Sequence, residues 1–408
     1  MQHAKAREAS EPGAPSPPDM LDLADHGTDR RILGLSHEGE EIVLTWDDGR
    51  ISRFHVLWLR DNCPCPACRH PQALERIYKF IDHPAPAIAG ARIGPAGELL
   101  VEFASAEGRH PARFSAGWLR RHCHSDAARQ ERADSPRLWD AAAIRDLPVV
   151  DFSHYMTTDE GLRAWCEALC SWGIVLMRNA PAEPGKLLEI GRRVGPIRPT
   201  NFGEYYDVIS MPNPNASAYT AMALELHTDL ANWRWPPDYQ LLFCVCNDAE
   251  GGGSILADGF RVAEDLRREE PEAFGLLATY PVAFRFHDES CDIVASAPTI
   301  GVDHAGGLRF VRFNNWLRGT LDVPQEAVGP LYRALGRFWL RLRDPAYHLT
   351  IRLKAGDMLT YSNHRVLHGR ESFDPSTGRR HLQGCYITHD DVLSRLRLLA
   401  RPTRPRTG

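Results

Sequence analysis

Beyond residue 200 the chain is written in strand-sized phrases, and nothing else in it limits the fold so strongly. "YQLLFCVC", "SILADGF", "PVAFRF", "LRFVRFN", "LTIRLKAGDMLTYS" and "HLQGCYITH" are rich in β-branched, aromatic or leucine residues. Two helical stretches interrupt them, near 261–278 and near 325–344. Many short strands with a few helices outside is the pattern of packed sheets. The expectation is therefore a mainly β fold with flanking helices, a β-sandwich or jelly-roll. Upstream, "PVVDF" and "GIVLMRN" read as strands and "EPGKLLEIGRRVGP" as a helix closed by glycine and proline. In "DEGLRAWCEALCSWG", Leu162, Trp165, Cys166, Leu169 and Cys170 recur at helical spacing.

A separate β unit comes first. "EEIVLTW", the turn "DDGR" and "ISRFHVLWL" make a hairpin, and "ELLVEFA" with "PARFSAGWL" make a second set. The length of 408 residues suits two or three domains. We expect a disordered Ala-, Pro- and Ser-rich tail over 1–27, a β domain over 28–125, a linker over 126–146, a second domain over 147–400 and a tail over 401–408. No internal repeat is expected.

With 43% hydrophobic and 25% charged residues the composition is that of a globular protein, and the formal net charge of −5 offers no basic field for nucleic acid or an anionic membrane. The N-terminus has no apolar h-region, and no run reaches the roughly 18 apolar residues of a membrane span. A cytoplasmic, reducing compartment is the expectation. There, three cysteines crowded together, Cys63, Cys65 and Cys68, favour a metal or redox role over disulfides.

The chemistry starts at "LELHTDLANW". In an extended segment, residues two apart project to one face, so His227 and Asp229 could share an ion. A third ligand has to come from elsewhere, and "YSNHRVLHGRESFDPSTGRRHLQGCY" offers His364 and His368, followed by Arg379 and Arg380. Two histidines, one carboxylate and open positions describe the ligand set of non-haem iron oxygenases. Their usual co-substrate, 2-oxoglutarate, has a far carboxylate that suits the planar fork of arginine. No phosphate loop, nucleophile elbow or dinucleotide fingerprint is present.

Taken with "WLRDNCPCPAC", "PPDYQLLFC", "GGGSILADGF" and "SRLRLL", these motifs make the chain similar, over roughly 30–400, to the γ-butyrobetaine hydroxylase-like, TauD-type Fe(II)/2-oxoglutarate dioxygenases. The resemblance implies a catalytic double-stranded β-helix (jelly-roll) domain behind a small N-terminal zinc-binding β domain. It implies Fe(II) on His227, Asp229 and His368, and 2-oxoglutarate anchored by Arg380, the arginine directly before "HL". His364 and Arg379 are the rivals. It also implies Zn(II) on Cys63, Cys65, Cys68 and His110, a closed set of four with a structural role; His122 and Cys123 are the rivals by spacing. Partners are O2, 2-oxoglutarate and a small substrate, and the analogy extends to a homodimer.

Relatives hold a trimethylammonium group in an aromatic cage by cation–π attraction. The matching substrate residues are Phe202, Tyr206, Tyr219 and Tyr386, with Asn314 and Asn315 for the other end. Two positions depart: Leu230 follows "HTD" where a cage tyrosine is expected, and Ala216 replaces an asparagine, with Asn215 adjacent. Trp233 and Trp235 stand near enough in sequence to compensate. The implied reaction is hydroxylation of γ-butyrobetaine to L-carnitine or of a close analogue. Trimethylaminoethylphosphonate, trimethyllysine or a non-quaternary substrate are the alternatives.

Overall fold

The computed structural model describes residues 20, 26–83, 86–105, 108–133, 135–209 and 220–401. They fall into two compact units, of which the second is Ser135–Leu399.

The first unit contains two three-stranded antiparallel sheets. One joins Ile32–Glu38, Glu41–Trp46 and Ile51–His55, and the other joins Ala87–Ile93, Leu99–Ser105 and Gly108–Phe114. Gly49, at φ 81°, makes the Asp-Gly turn that the sequence signals. Each sheet runs straight into a six-residue helix, Val56–Asp61 or Ala116–Arg121. The helices carry "WLRDNC" and "WLRRHC", and the backbone N–H after each donates to the carbonyl of its tryptophan, Trp58 or Trp118. The two indoles stack at 4.9 Å between centroids. An internal repeat is therefore present, contrary to expectation. It is a repeat of a three-strand-and-helix unit whose trace in sequence is the Arg-Phe and Trp-Leu-Arg shared at the same spacing by "RFHVLWLRDNC" and "RFSAGWLRRHC". Ile42, Leu44, Phe54, Leu59, Leu99, Phe103, Phe114 and Leu119 fill the shared core. Met20, in the expected tail, is buried against the same cluster.

The second unit is layered. A six-stranded sheet runs in the order Val149–Asp151, Ile174–Arg178, Met358–Ser362, Tyr239–Asn247, Arg380–Ile387, Tyr205–Val208. Its first pair is parallel and the rest antiparallel. A four-stranded antiparallel sheet runs Leu224–His227, Val366–Arg370, Ser254–Asp258, His348–Ile351. Ile174, Leu176, Leu359 and Leu382 of the larger sheet meet Leu256, Leu349, Ile351 and Val366 of the smaller in one core, so the sheets face each other. Helices Asp159–Trp172 and Lys186–Val194 cover the other side of the six-stranded sheet through Leu162, Trp165, Leu169 and Ile190. Thr158 caps the first of them, and Gly173 in the left-handed region ends it.

Three more helices, Gly259–Glu269, Pro271–Thr279 and Gln325–Leu342, cover the outer side of the four-stranded sheet. The single helix expected near 261–278 is two, because Pro271 cannot continue the first and instead starts the second. Residues 126–146, expected as a linker, span the division between the two units and carry structure of their own. Asp126–Arg132 is helical, and Trp139 is buried, its indole N–H donating to the Trp172 carbonyl at 2.8 Å. The polar, proline-bearing stretch around it hid one large apolar anchor. Among the described residues no helix is long and apolar enough to cross a membrane.

One buried ion pair ties the four-stranded sheet together. Arg365, just before strand Val366–Arg370, donates to both oxygens of Asp258 at 3.0 and 2.8 Å, with side chains 4% and 0% exposed. Asp258 ends the neighbouring strand and also caps the helix that follows, so removing either partner would strand a buried charge.

Candidate metal centres

His227 is the last residue of its strand and lies directly opposite His368 in the antiparallel register. Facing residues of adjacent strands bring side chains within a few ångströms, and the two imidazole centroids are 4.4 Å apart. Asp229 joins them by a different route from strand alternation. The strand stops at His227, the chain turns, and Leu230 sits at φ 52°, unusual for a branched residue. The turn is held from both sides. The Asp229 N–H donates to Asn363 Oδ1 at 2.7 Å, the Asn363 amide donates back to the Asp229 carbonyl at 2.9 Å, and the Thr228 N–H donates to the Phe313 carbonyl at 2.8 Å.

The result is a compact cluster. Asp229 Oδ1 lies 3.5 Å from His227 Nε2 and 3.4 Å from His368 Nε2. His227 Nδ1–H donates to the Glu225 carbonyl at 2.8 Å, which leaves Nε2 as the unprotonated, inward-facing nitrogen. Burial would raise the Asp229 pKa, but the imidazoles beside it outweigh that and hold the carboxyl well below its usual range. Burial lowers the His368 pKa, with the Asp229 charge opposing. One carboxylate oxygen and two imidazole nitrogens, on side chains 12–19% exposed, converge as three donors. That set fits a divalent cation that keeps free positions. The rival His364 points elsewhere, to Asp238 Oδ1 at 2.9 Å.

The two candidate arginines separate cleanly. Arg379 is exposed, whereas Arg380, first in its strand, is buried. Arg380 Nε has no hydrogen-bond partner among the described residues. Its guanidinium lies 5.2 Å from the Phe373 ring centroid, and burial lowers its pKa to about 10. Gly252 leaves it room: a Cβ there would come within 2.9 Å of Nε. A buried cation without a carboxylate is costly, and the cradle fits an anionic ligand supplied from outside.

Three of the expected substrate aromatics lie near one another. Phe202 lies 6.2 Å from Tyr206 and 5.6 Å from Phe286, and Tyr206 lies 5.7 Å from Tyr386. Tyr219, Ala216 and Asn215 fall outside the described residues. Leu230 is buried, Trp235 is 72% exposed, and the Trp233 ring faces the Arg198 guanidinium at 5.9 Å. The Asn314 side chain donates one N–H to the Thr228 carbonyl at 3.3 Å, and its Oδ1 accepts from the Leu317 N–H at 3.1 Å. Asn315 Oδ1 accepts from Arg318 at 3.3 Å. Sequence reasoning passed over Trp316, which meets the His227 ring edge-on at 5.4 Å, and Asn363, which braces the turn. Only their nearness to "FNN" and "LHG" could have flagged them.

The first unit holds a second cluster, Cys63, Cys65, Cys68 and His110. Cys63–Cys68 is a tight loop, closed by the Cys68 N–H donating to the Cys65 carbonyl at 2.9 Å, and His110 comes from the strand paired through Phe103. The three sulfurs lie 3.3, 3.5 and 3.5 Å from His110 Nε2. A tetrahedral zinc with Zn–S about 2.3 Å and Zn–N about 2.0 Å needs S···N edges of about 3.5 Å. The donors fit it. The Cys63 thiol and the Arg60 guanidinium, which donates to Cys68 Sγ at 3.0 Å, hold the Cys68 pKa below its usual value against the effect of burial. The rivals are engaged elsewhere: His122 Nδ1–H donates to the Trp118 carbonyl, and the Cys123 thiol to Ser125 Oγ.

Residues 131–386 match the family model "Taurine catabolism dioxygenase TauD, TfdA family", and residues 33–83 match "Gamma-butyrobetaine hydroxylase-like, N-terminal". The chain is 39% identical over 362 residues to a gamma-butyrobetaine dioxygenase of Pseudomonas sp. (strain AK-1), covering 88% of this chain and 94% of that one. It is 33% identical to the gamma-butyrobetaine dioxygenase of Homo sapiens, covering 87% and 93%. It is 31% identical to the mitochondrial trimethyllysine dioxygenase of Rattus norvegicus, covering 92% and 89%.

Proposed function

The chain belongs to the TauD, TfdA dioxygenase family, and from that membership we propose that it is an Fe(II)- and 2-oxoglutarate-dependent hydroxylase of a small quaternary ammonium compound, γ-butyrobetaine before any other. Its catalytic domain is read as a double-stranded β-helix, and the domain before it as a zinc-bearing β module. The observation that carries the reading is the three-donor cluster of His227, Asp229 and His368 in a protein whose buried Arg380 has an Nε with no hydrogen-bond partner among the described residues.

In this reading His227, Asp229 and His368 hold iron, and Arg380 takes the far carboxylate of 2-oxoglutarate. Iron with 2-oxoglutarate and dioxygen supplies the oxidising power to hydroxylate an unactivated C–H bond. What the chain contributes is orientation and exclusion. The Arg380 guanidinium, desolvated and backed by Phe373, strengthens a charge-assisted pair with a dicarboxylate. Phe202, Tyr206 and Tyr386 offer ring faces to a trimethylammonium head, at about 0.5–2 kcal/mol for each well-placed ring. Cys63, Cys65, Cys68 and His110 hold zinc with no position left for a substrate.

The test is turnover with Fe(II), 2-oxoglutarate and oxygen on γ-butyrobetaine, trimethyllysine and trimethylaminoethylphosphonate, with succinate and hydroxylated product quantified together. One product per succinate is expected with γ-butyrobetaine. Succinate at the substrate-free rate with all three amines would end the quaternary-ammonium reading. Tight coupling to trimethyllysine alone would favour the second reading, which the trimethyllysine dioxygenase relatives support.

A further inference from the structure

Asp229 ends a line of hydrogen bonds that runs from the candidate iron cluster into the core between strands. Tyr386 Oη donates to Asp229 Oδ2 at 2.8 Å, and Tyr206 Oη donates to Tyr386 Oη at 3.0 Å. Gln240 Nε2 donates to Tyr206 Oη at 2.5 Å, and Tyr361 Oη donates to Gln240 Oε1 at 2.5 Å.

The proton direction along this line is forced. An ionised carboxylate only accepts, so Tyr386 spends its single proton on Asp229. Its oxygen must then accept from Tyr206, which spends its own proton in turn. The atom of Gln240 facing Tyr206 is therefore the amide nitrogen, and the amide oxygen is left for Tyr361. Gln240, Tyr361 and Tyr386 are 4%, 0% and 3% exposed, so water does not compete easily for these bonds. The line also returns to the cluster: the Tyr361 ring lies 4.9 Å from the His368 ring. One set of side chains thus braces Asp229 at one end and His368 at the other.

Resting on the hydroxylase reading, we propose that Gln240 and Tyr361 are positioning residues: by completing the line whose direction Asp229 sets, they keep Tyr206 and Tyr386 in place, hold Asp229 Oδ2 and leave Oδ1 alone to face the two histidines. Asp229 is then a one-oxygen ligand, and the remaining space at the metal is kept for co-substrate and oxygen. The substrate wall feels the same constraint. With their protons committed, Tyr206 and Tyr386 have no O–H to offer, only ring faces. A trimethylammonium head, which brings neither donor nor acceptor, sacrifices no hydrogen bond against such a wall.

The experiment uses the full-length zinc-loaded protein, stripped of iron and titrated anaerobically with Co(II) in the presence of 2-oxoglutarate, following the Co(II) d–d absorption. Tyr361→Phe keeps the ring against His368 and removes only the last donor, and Gln240→Leu removes the middle link. Tyr155→Phe is the control: its buried phenol donates to the Ile190 carbonyl at 2.9 Å under the helical layer, away from the cluster. Co(II) affinity is expected to fall about tenfold in Tyr361→Phe and Gln240→Leu, as when a ligand's outer partner is lost. Succinate formed per product should rise above one in both. Tyr155→Phe should keep wild-type Co(II) affinity even where its Tm falls as far. Affinities within twofold of wild type in both line variants, or an equal loss in Tyr155→Phe, would overturn the proposal alone. Wild-type protein that binds no Co(II) would overturn the hydroxylase reading, and the positioning role with it.

Discussion

The two donor clusters of this chain have nearly the same edge length and opposite designs. In the first unit the edges from His110 to three sulfurs are 3.3–3.5 Å, and in the second the edges from Asp229 to two imidazole nitrogens are 3.4–3.5 Å. What differs is the number of corners and what sets them. Four corners, three of them soft thiolates on one loop, complete a tetrahedron and leave no room for chemistry. Three corners of nitrogen and oxygen, drawn from two strands and a turn, leave half the coordination sphere open. The closed set borrows rigidity from the metal; the open set has to bring its own, and the brackets of Asn363, Glu225 and Tyr386 around it do this.

The largest expected effects break this contrast from both sides. His368→Ala removes one corner of the open cluster, and product formation should fall by at least about a thousandfold, because residues acting as a unit lose the whole unit's contribution. Zinc content and Tm should hold. Cys68→Ser should do the reverse. Structural zinc sites supply on the order of 10 kcal/mol of folding free energy, so the variant should lose zinc, and protease should cut first within residues 26–133. Metal analysis alongside limited proteolysis would check both. If His368→Ala unfolds the protein, or Cys68→Ser keeps a folded first unit, the division into an open working site and a closed structural one is wrong.

Arg380→Met comes next, and its two effects have opposite signs. The KM for 2-oxoglutarate should rise roughly 30- to 140-fold, the worth of a hydrogen bond to a charged group at about 2–3 kcal/mol. In the absence of 2-oxoglutarate the Tm should rise, because a buried cation with an unpartnered Nε gives way to an apolar side chain. A fall in both would mean that the arginine is structural. In the first unit Arg60 is already engaged with Cys68 and lies 3.8 Å from the Tyr78 ring centroid, and the counterpart is the buried Arg69, whose Nε and Nη2 have no hydrogen-bond partner among the described residues.

How much of this was legible depended on whether the physics was local. "CPCPAC" closes its own loop, so three ligands of four could be read from six letters. The opposition of His227 and His368 needs a strand register that no short stretch encodes, and it was reached through family resemblance. The stated reason for Asp229 was wrong even though the residue joins the cluster: alternation along a strand does not carry it there, the turn at Leu230 does. Gln240 and Tyr361 were invisible because each looks like an ordinary core-strand residue until the two strands pair through Gln240 and Tyr361 themselves. The repeat of "WLRDNC" and "WLRRHC" was missed for another reason. Sixty residues separate the tryptophans, and the sheets before them share a pattern of burial more than letters.

The smallest effects test the corners that are not there. His364 and Cys123 have the right chemistry for ligands and sit near the right places in sequence, yet each is already paired, His364 with Asp238 and Cys123 with Ser125. His364→Ala should leave iron stoichiometry unchanged and cost about 1 kcal/mol or less, since its pair is still reached by solvent, with side chains 28% and 27% exposed. Cys123→Ala should keep one zinc per chain and lower Tm only slightly, because alanine fills most of a small buried site. Loss of iron in the first or of zinc in the second would show that proximity in sequence outweighed the geometry. The two clusters would then have to be redrawn with different corners, beginning with whether the open one is open at all.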